Sequence, residues 1–129
     1  MRDRREIAAV FVGGAIGAVL RAWLARVLET DADAWPWATF VVNIVAAFVL
    51  GWFSTVLLER LPVSRFRRPF VGTGVCGGLS TFSTMQVETV RLVQGGHVAV
   101  AVAYVFASLL AGMVAMHLAT ALARRTVVR

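Results

Sequence analysis

Residues 37–58 read WATFVVNIVAAFVLGWFSTVLL, a run from Trp37 to Leu58 without one charged side chain. The hydrocarbon core of a bilayer is about 30 Å thick and an α-helix rises about 1.5 Å per residue, so roughly 20 apolar residues span it. This stretch meets that length, and three more do so on either side of it: Ile7–Leu28, Phe70–Val93 and Val98–Leu122. Their connections are too short to hold a soluble domain. The sequence therefore predicts an all-α membrane protein of four transmembrane helices, approximately 7–28, 37–58, 70–93 and 98–122, with residues 1–129 as a single transmembrane domain. Composition agrees: 59% of the residues are hydrophobic, 16% are charged and the mean hydropathy is +0.77. An average soluble domain has about 45 to 50% apolar and about 25% charged residues. Trp35, Pro36 and Trp37 mark the start of the second helix, as an interfacial aromatic pair around a helix-starting proline.

The net charge of +6 could point to nucleic acid, but its placement points elsewhere. All 13 basic residues are arginine. Most lie before the first helix (Arg2, Arg4, Arg5), between the second and third (Arg60, Arg65, Arg67, Arg68) and after the fourth (Arg124, Arg125, Arg129). The link between helices one and two carries Glu29, Asp31 and Asp33 instead, and that between helices three and four is Gln94-Gly95-Gly96-His97. The positive-inside rule then places both termini in the cytoplasm of a multi-pass protein of the cell membrane. The first helix is too long to read as a cleaved secretory signal. Cys76 is the single cysteine, so no intrachain disulfide forms, and no Cys/His cluster suggests a metal centre.

The third stretch is unusual inside. Gly72, Gly74, Gly77 and Gly78 precede Ser80, Thr81, Ser83 and Thr84 near its middle. Glycine lowers helix propensity by about 1 kcal/mol and hydroxyls compete for backbone partners, which predicts a break around Gly77 to Thr81. Unwound backbone at membrane depth survives only inside protein or beside a wet cavity, so the break should face another helix or subunit. In helix one, Gly13, Gly14 and Gly17 share nearly one face, a pattern that lets helices approach closely. Transport usually needs a structure related to itself by inversion, and the chain has no internal repeat. A second chain can supply that symmetry, most simply in a dimer.

Polar side chains within the spans are few. A charged one costs about 2.5 to 3.5 kcal/mol at helix centre and must be compensated or used. The set is Arg21, Asn43, Glu88, Arg91 and His117. Asn43 brings two N–H donors and a carbonyl to a helix that is otherwise apolar. Tyr104 and Ser108, four apart, share one face that continues to Gly112. Phe82 follows the break and is flanked by hydroxyls, where the positive edge of its ring could meet an anion. Glu88 and Arg91 are spaced to pair with each other at the helix end. His117 reads as interfacial, and His97 carries no signal.

Taken together, Gly13-Gly14-Ala15-Ile16-Gly17-Ala18-Val19-Leu20-Arg21, then Asn43, then Gly77-Gly78-Leu79-Ser80-Thr81-Phe82-Ser83-Thr84-Met85 resemble the CrcB/Fluc fluoride channel family. The resemblance covers essentially the full chain. It implies an antiparallel dimer with two narrow fluoride pathways lined by both subunits, exporting fluoride passively and so reducing its toxicity; no enzymatic step is implied. By the family pattern Asn43 donates its amide to the ion, Phe82 presents its ring edge, and Tyr104 and Ser108 form a polar track. Arg21 favours anions near a vestibule, and Thr81 and Met85 complete the pathway. Backbone carbonyls of Gly77 and Ser80 from both subunits are expected around a structural sodium ion at the dimer interface, an arrangement suited to a hard cation.

The chain departs from the pattern twice. Met85 stands where the family usually has a second phenylalanine, and Gly112 leaves the stripe of helix four without a hydroxyl, so one of the two pathways is expected to be weakened. The strong arginine bias also disfavours inserting one chain both ways up. It points to a related, oppositely oriented partner chain as an alternative to a homodimer, and to a subunit that mainly scaffolds that partner as an alternative function. A small multidrug resistance-type transporter would need a carboxylate in helix one, where this chain offers Arg21. An intramembrane serine protease would need Gly-x-Ser-Gly, which Gly78-Leu79-Ser80-Thr81 does not supply.

Overall fold

The computed structural model describes residues 4–29, 34–59 and 66–127. Arg2, Asp31, Asp33, Arg60, Arg65 and Arg129, on which the orientation argument partly rests, lie outside the described residues. The described chain is helical: α1 (Arg4–Val27), α2 (Trp37–Glu59), a π-helix (Arg68–Cys76), the single turn α3 (Gly77–Leu79), α4 (Phe82–Gln94) and α5 (Val98–Thr126). Three of these, α1, α2 and α5, are long and apolar enough to cross a membrane. The stretch 70–93, expected as a helix broken around Gly77 to Thr81, is the π-helix, α3 and α4 in succession, with Ser80 and Thr81 outside any helix.

Local chemistry sets these boundaries. Pro36 lacks an amide and ends the loop before α2, its carbonyl accepting the Phe40 amide at 3.0 Å. The π-helix opens with Pro69 in its first turn. A π-helix bonds five residues on and is rare beyond a single turn, so nine residues of it need strong tertiary support. That support is α1. A methyl group at Gly17 would strike the Val75 carbonyl and lie 2.7 Å from the Leu79 nitrogen, while one at Gly78 would strike the Gly14 carbonyl. Only glycine permits this backbone contact, and Gly13 and Gly17 are both buried in it.

Helices α2 and α5 form the other long seam. A methyl at Gly51 would sit 2.7 Å from the Met116 carbonyl. At the end of the seam, Arg124 Nε and Nη2 both donate to Glu59 Oε1 at 3.0 Å. Two apolar clusters fill the interior. Met85, Leu92, Ala101 and Tyr104 join α4 to α5, and Val42, Ala46 and Leu79 join α2 to α3. Phe11, Phe106 and Met113 are exposed on the outside, which suits a hydrocarbon solvent rather than water.

Candidate ion pathway

Helical geometry stops at Leu79. Ser80 (φ −74°, ψ 151°) and Thr81 (φ −149°, ψ 110°) are extended, and the helix resumes at Phe82. Two extended residues in an apolar setting leave backbone groups to satisfy. Asn43 on α2 satisfies both sides of one of them. The Thr81 amide donates to Asn43 Oδ1 at 2.8 Å, and Asn43 Nδ2 donates to the Thr81 carbonyl at 3.3 Å. Because a backbone amide can only donate, the side-chain oxygen must face it, which fixes the orientation of the Asn43 amide. Its second N–H takes no acceptor among the described residues. Thr81 meanwhile caps α4: its hydroxyl accepts the Thr84 amide at 3.2 Å and donates to the Thr84 hydroxyl at 2.9 Å.

A continuing helix would have given the Thr81 amide to the carbonyl of Gly77, four residues back. Asn43 diverts it. Gly77 lies on an open face, where an added methyl would meet nothing within 4 Å.

Two cavities flank the clamp. The first, of about 420 Å³, is lined by Asn43, Ser80, Thr81, Phe82, Met85 and Ser108 among others. Phe82 is exposed, whereas Met85 is buried in the α4–α5 cluster with only its margin on the cavity. Ser108 Oγ is buried with no hydrogen-bond partner among the described residues. Leaving such a hydroxyl unmatched costs about 1 to 3 kcal/mol, which a guest in the cavity would relieve. The second cavity, of about 400 Å³, is lined by Arg21, Glu29, Thr39, Thr81, Thr84 and Glu88. Thr81 belongs to both, so its clamp to Asn43 stands at the partition.

Tyr104 is fully buried one turn before Ser108 on α5, and its hydroxyl donates to Glu88 Oε2 at 2.8 Å. Glu88 Oε1 accepts from the Thr39 hydroxyl at 2.8 Å. Each carboxylate oxygen thus has its own hydroxyl donor, and Glu88 turns to these rather than to Arg91. The spacing of Glu88 and Arg91 on one helix suggested the pair; the face of α4 that buries Glu88 against α2 and α5 leaves Arg91 exposed. Glu88 and Thr39 are the site residues that sequence reasoning missed. The signal for Glu88 was the cost of a carboxylate in a span, which a cation three residues away explained too readily. Cys76 is a free, buried thiol beside the first cavity, and His117 is exposed on α5. Among the described residues no group of three or more His, Cys, Asp or Glu is placed to hold a metal ion.

Of the residues singled out in the sequence, Asn43, Thr81, Phe82, Met85 and Ser108 line one cavity and Arg21, Thr81 and Glu88 the other, whereas Tyr104 lies buried behind Glu88, and Arg91 and His117 are exposed and line neither cavity. Residues 8–120 match the family described as CrcB-like protein, Camphor Resistance (CrcB). The protein named Fluoride-specific ion channel FluC 1 of Mycobacterium bovis is 56% identical over 127 residues, covering 98% of this chain and 96% of that one. Fluoride-specific ion channel FluC of Pyrococcus furiosus is 44% identical over 123 residues, covering 95% of this chain and 99% of its own length. Fluoride-specific ion channel FluC 2 of Streptomyces avermitilis is 45% identical over 103 residues, or 80% of this chain and 65% of the relative. With a family match from residue 8 to residue 120 and such identity over nearly its whole length, this chain belongs to the CrcB family.

Proposed function

We infer that this multi-pass membrane protein is a fluoride-specific ion channel that lets fluoride leave the cell down its gradient and so limits fluoride toxicity. The observation that carries the reading is the identity with fluoride-specific ion channels over nearly the full length of both chains, at 56% and 44%. The geometry supports this reading. Fluoride is small and strongly hydrated, so a pathway must replace its water with donors yet hold it weakly enough to release it. Asn43, whose second N–H is free, Ser108 and Phe82 are uncharged and line one cavity, where an amide donor, a hydroxyl and a ring edge could serve the ion. The Tyr104 and Thr39 hydroxyls donate to Glu88 and so hold its carboxylate in place, and Arg21 sets a positive charge in the adjoining cavity beside Glu29 and Glu88.

The π-helix, α3 and α4 together are proposed to make one further passage through the bilayer, broken at Ser80 and Thr81 where Asn43 satisfies the backbone. The cavity beside Phe82 is open, which supports its closure by a second subunit, oriented antiparallel, with residues from both chains lining each pathway. Gly77 and Ser80 suit the structural sodium ion that the family resemblance implies. The loss of the Thr81 amide leaves the Gly77 carbonyl available, its face is open to a partner, and a hard cation takes such oxygens. Bound there, the ion would neutralise converging carbonyl dipoles between the two subunits.

The partner is proposed to be either a second copy or a related chain of opposite orientation; numbered names such as FluC 1 and FluC 2 among the relatives favour the second. The burial of Met85 favours a chain that completes one pathway well and mainly scaffolds the other. Both termini are proposed to lie in the cytoplasm of a cell-membrane protein. Fluoride efflux from liposomes, measured with the chain alone and with a related chain supplied, tests the function. Efflux selective over chloride and abolished or slowed by Asn43→Asp and Phe82→Ile is expected, and no efflux in either preparation would refute it.

A further inference from the structure

The two cavities beside Thr81 lie on either side of the clamp, and a conducting path through them must also leave toward the arginine-rich end of α2 and α5. A third cavity, of about 280 Å³, lies there between the two helices. Ser54, Thr120, Glu59 and Arg124 are among the residues that line it. Leu50 and Met116 line both this cavity and the one containing Asn43 and Ser108, so they form the partition between the two. On α5 the positions Ser108, Gly112, Met116, Thr120 and Arg124 recur at four-residue spacing, the ridge along which one helix seats against another. That ridge follows α2 past Gly51, where a methyl would meet the Met116 carbonyl at 2.7 Å and Met116 Cγ at 3.1 Å.

The third cavity thus adjoins the first across Leu50 and Met116, with polar residues lining both sides. Methionine is unbranched and flexible, so Met116 can swing aside without displacing backbone. At the far end Arg124 gives two N–H groups to one oxygen of Glu59 and has further donors to offer. Its side chain is 61% exposed, and an ion pair this exposed is weak enough to exchange for a passing anion.

We propose that the cavity between α2 and α5 is the second mouth of the fluoride pathway, with Leu50 and Met116 as its constriction and Arg124, held by Glu59, as the group that recruits the anion. The proposal rests on the fluoride reading. Its first test does not use flux. In a Cys76→Ala background, Thr120→Cys is placed in liposomes and treated with a small anionic thiosulfonate from the arginine-rich side, and the adduct is read by mass. Modification is expected; a thiol that stays unmodified means that lipid chains or a second subunit fill the cavity, and overturns the proposal. The second test is efflux at low ionic strength, where charge focused at a mouth changes rates by about 10-fold or more. Arg124→Gln is expected to slow efflux by that factor, Glu59→Gln to raise it, and the double substitution to match Arg124→Gln. Arg124→Gln protein of normal thermal stability that conducts like the wild type overturns it. Absence of efflux from the wild type itself would instead sink the fluoride reading.

Discussion

Asn43 holds two positions at once. One face of its amide completes the backbone of Thr81, and the remaining N–H points to chemistry. Asn43→Asp keeps an acceptor for the Thr81 amide but sets a carboxylate oxygen against the Thr81 carbonyl and removes the free donor. It should lower stability by about 1 to 3 kcal/mol, read as thermal unfolding in detergent, and abolish or strongly slow efflux. Ser108→Ala makes the opposite pairing of effects. Its hydroxyl is buried without a partner, so removing it should leave stability unchanged or raise it by up to about 1 kcal/mol, while fluoride efflux falls. A loss of stability equal to that of Asn43→Asp would show that Ser108 serves the fold and not the ion. Asn43 and Ser108 were legible in the sequence because a polar side chain stands out in an apolar span. The partners of Glu88 were not. Nothing in the spacing of Thr39, Glu88 and Tyr104 tells that three separate helices bring them within 2.8 Å.

At the scale of the element, the same residue type has opposite meanings, and the sequence alone does not separate them. Gly17 and Gly78 lie where α1 touches the backbone of the π-helix and α3, so a methyl at either strikes a carbonyl. Gly17→Ala and Gly78→Ala should each destabilise the protein by about 1 to 3 kcal/mol, because backbone on both sides cannot yield. Gly77, next in the chain to Gly78, has open space around it. Gly77→Ala should leave the unfolding of the single chain unaffected and weaken subunit association, as read by cross-linking or by fluorescence dilution in liposomes. Equal damage from Gly77→Ala and Gly78→Ala to thermal stability would argue against a subunit interface at Gly77. The glycine run in residues 72–78 marks irregular backbone in the sequence. The nine-residue π-helix has no such signature, since its register depends on the contact with α1 rather than on its own residues.

For the molecule as a whole, the arginines and the open cavity make opposing demands. The cavity beside Phe82 is open, and the inverted second chain proposed above would close it. Arginine, however, resists translocation, and in the proposed four-passage arrangement Arg4, Arg5, Arg67, Arg68, Arg124 and Arg125 share one side with both ends of the described chain, so inserting the chain the other way up would move every one of them across the bilayer. These two demands meet if the inverted position belongs to a related chain with the opposite bias. Single cysteines at the N- and C-terminus in a Cys76→Ala background, labelled in intact cells by an impermeant maleimide, measure the orientation. The expected result is labelling only after the cells are opened, together with efflux that rises when the related chain is co-expressed. Equal labelling of both termini from outside and inside, with full efflux from the chain alone, would establish dual insertion and a homodimer, and the arginine bias would then be too weak to fix orientation. Neutralising Arg67 and Arg68 to Gln extends the test, since a chain held one way up by charge should become labelled from outside when that charge is reduced.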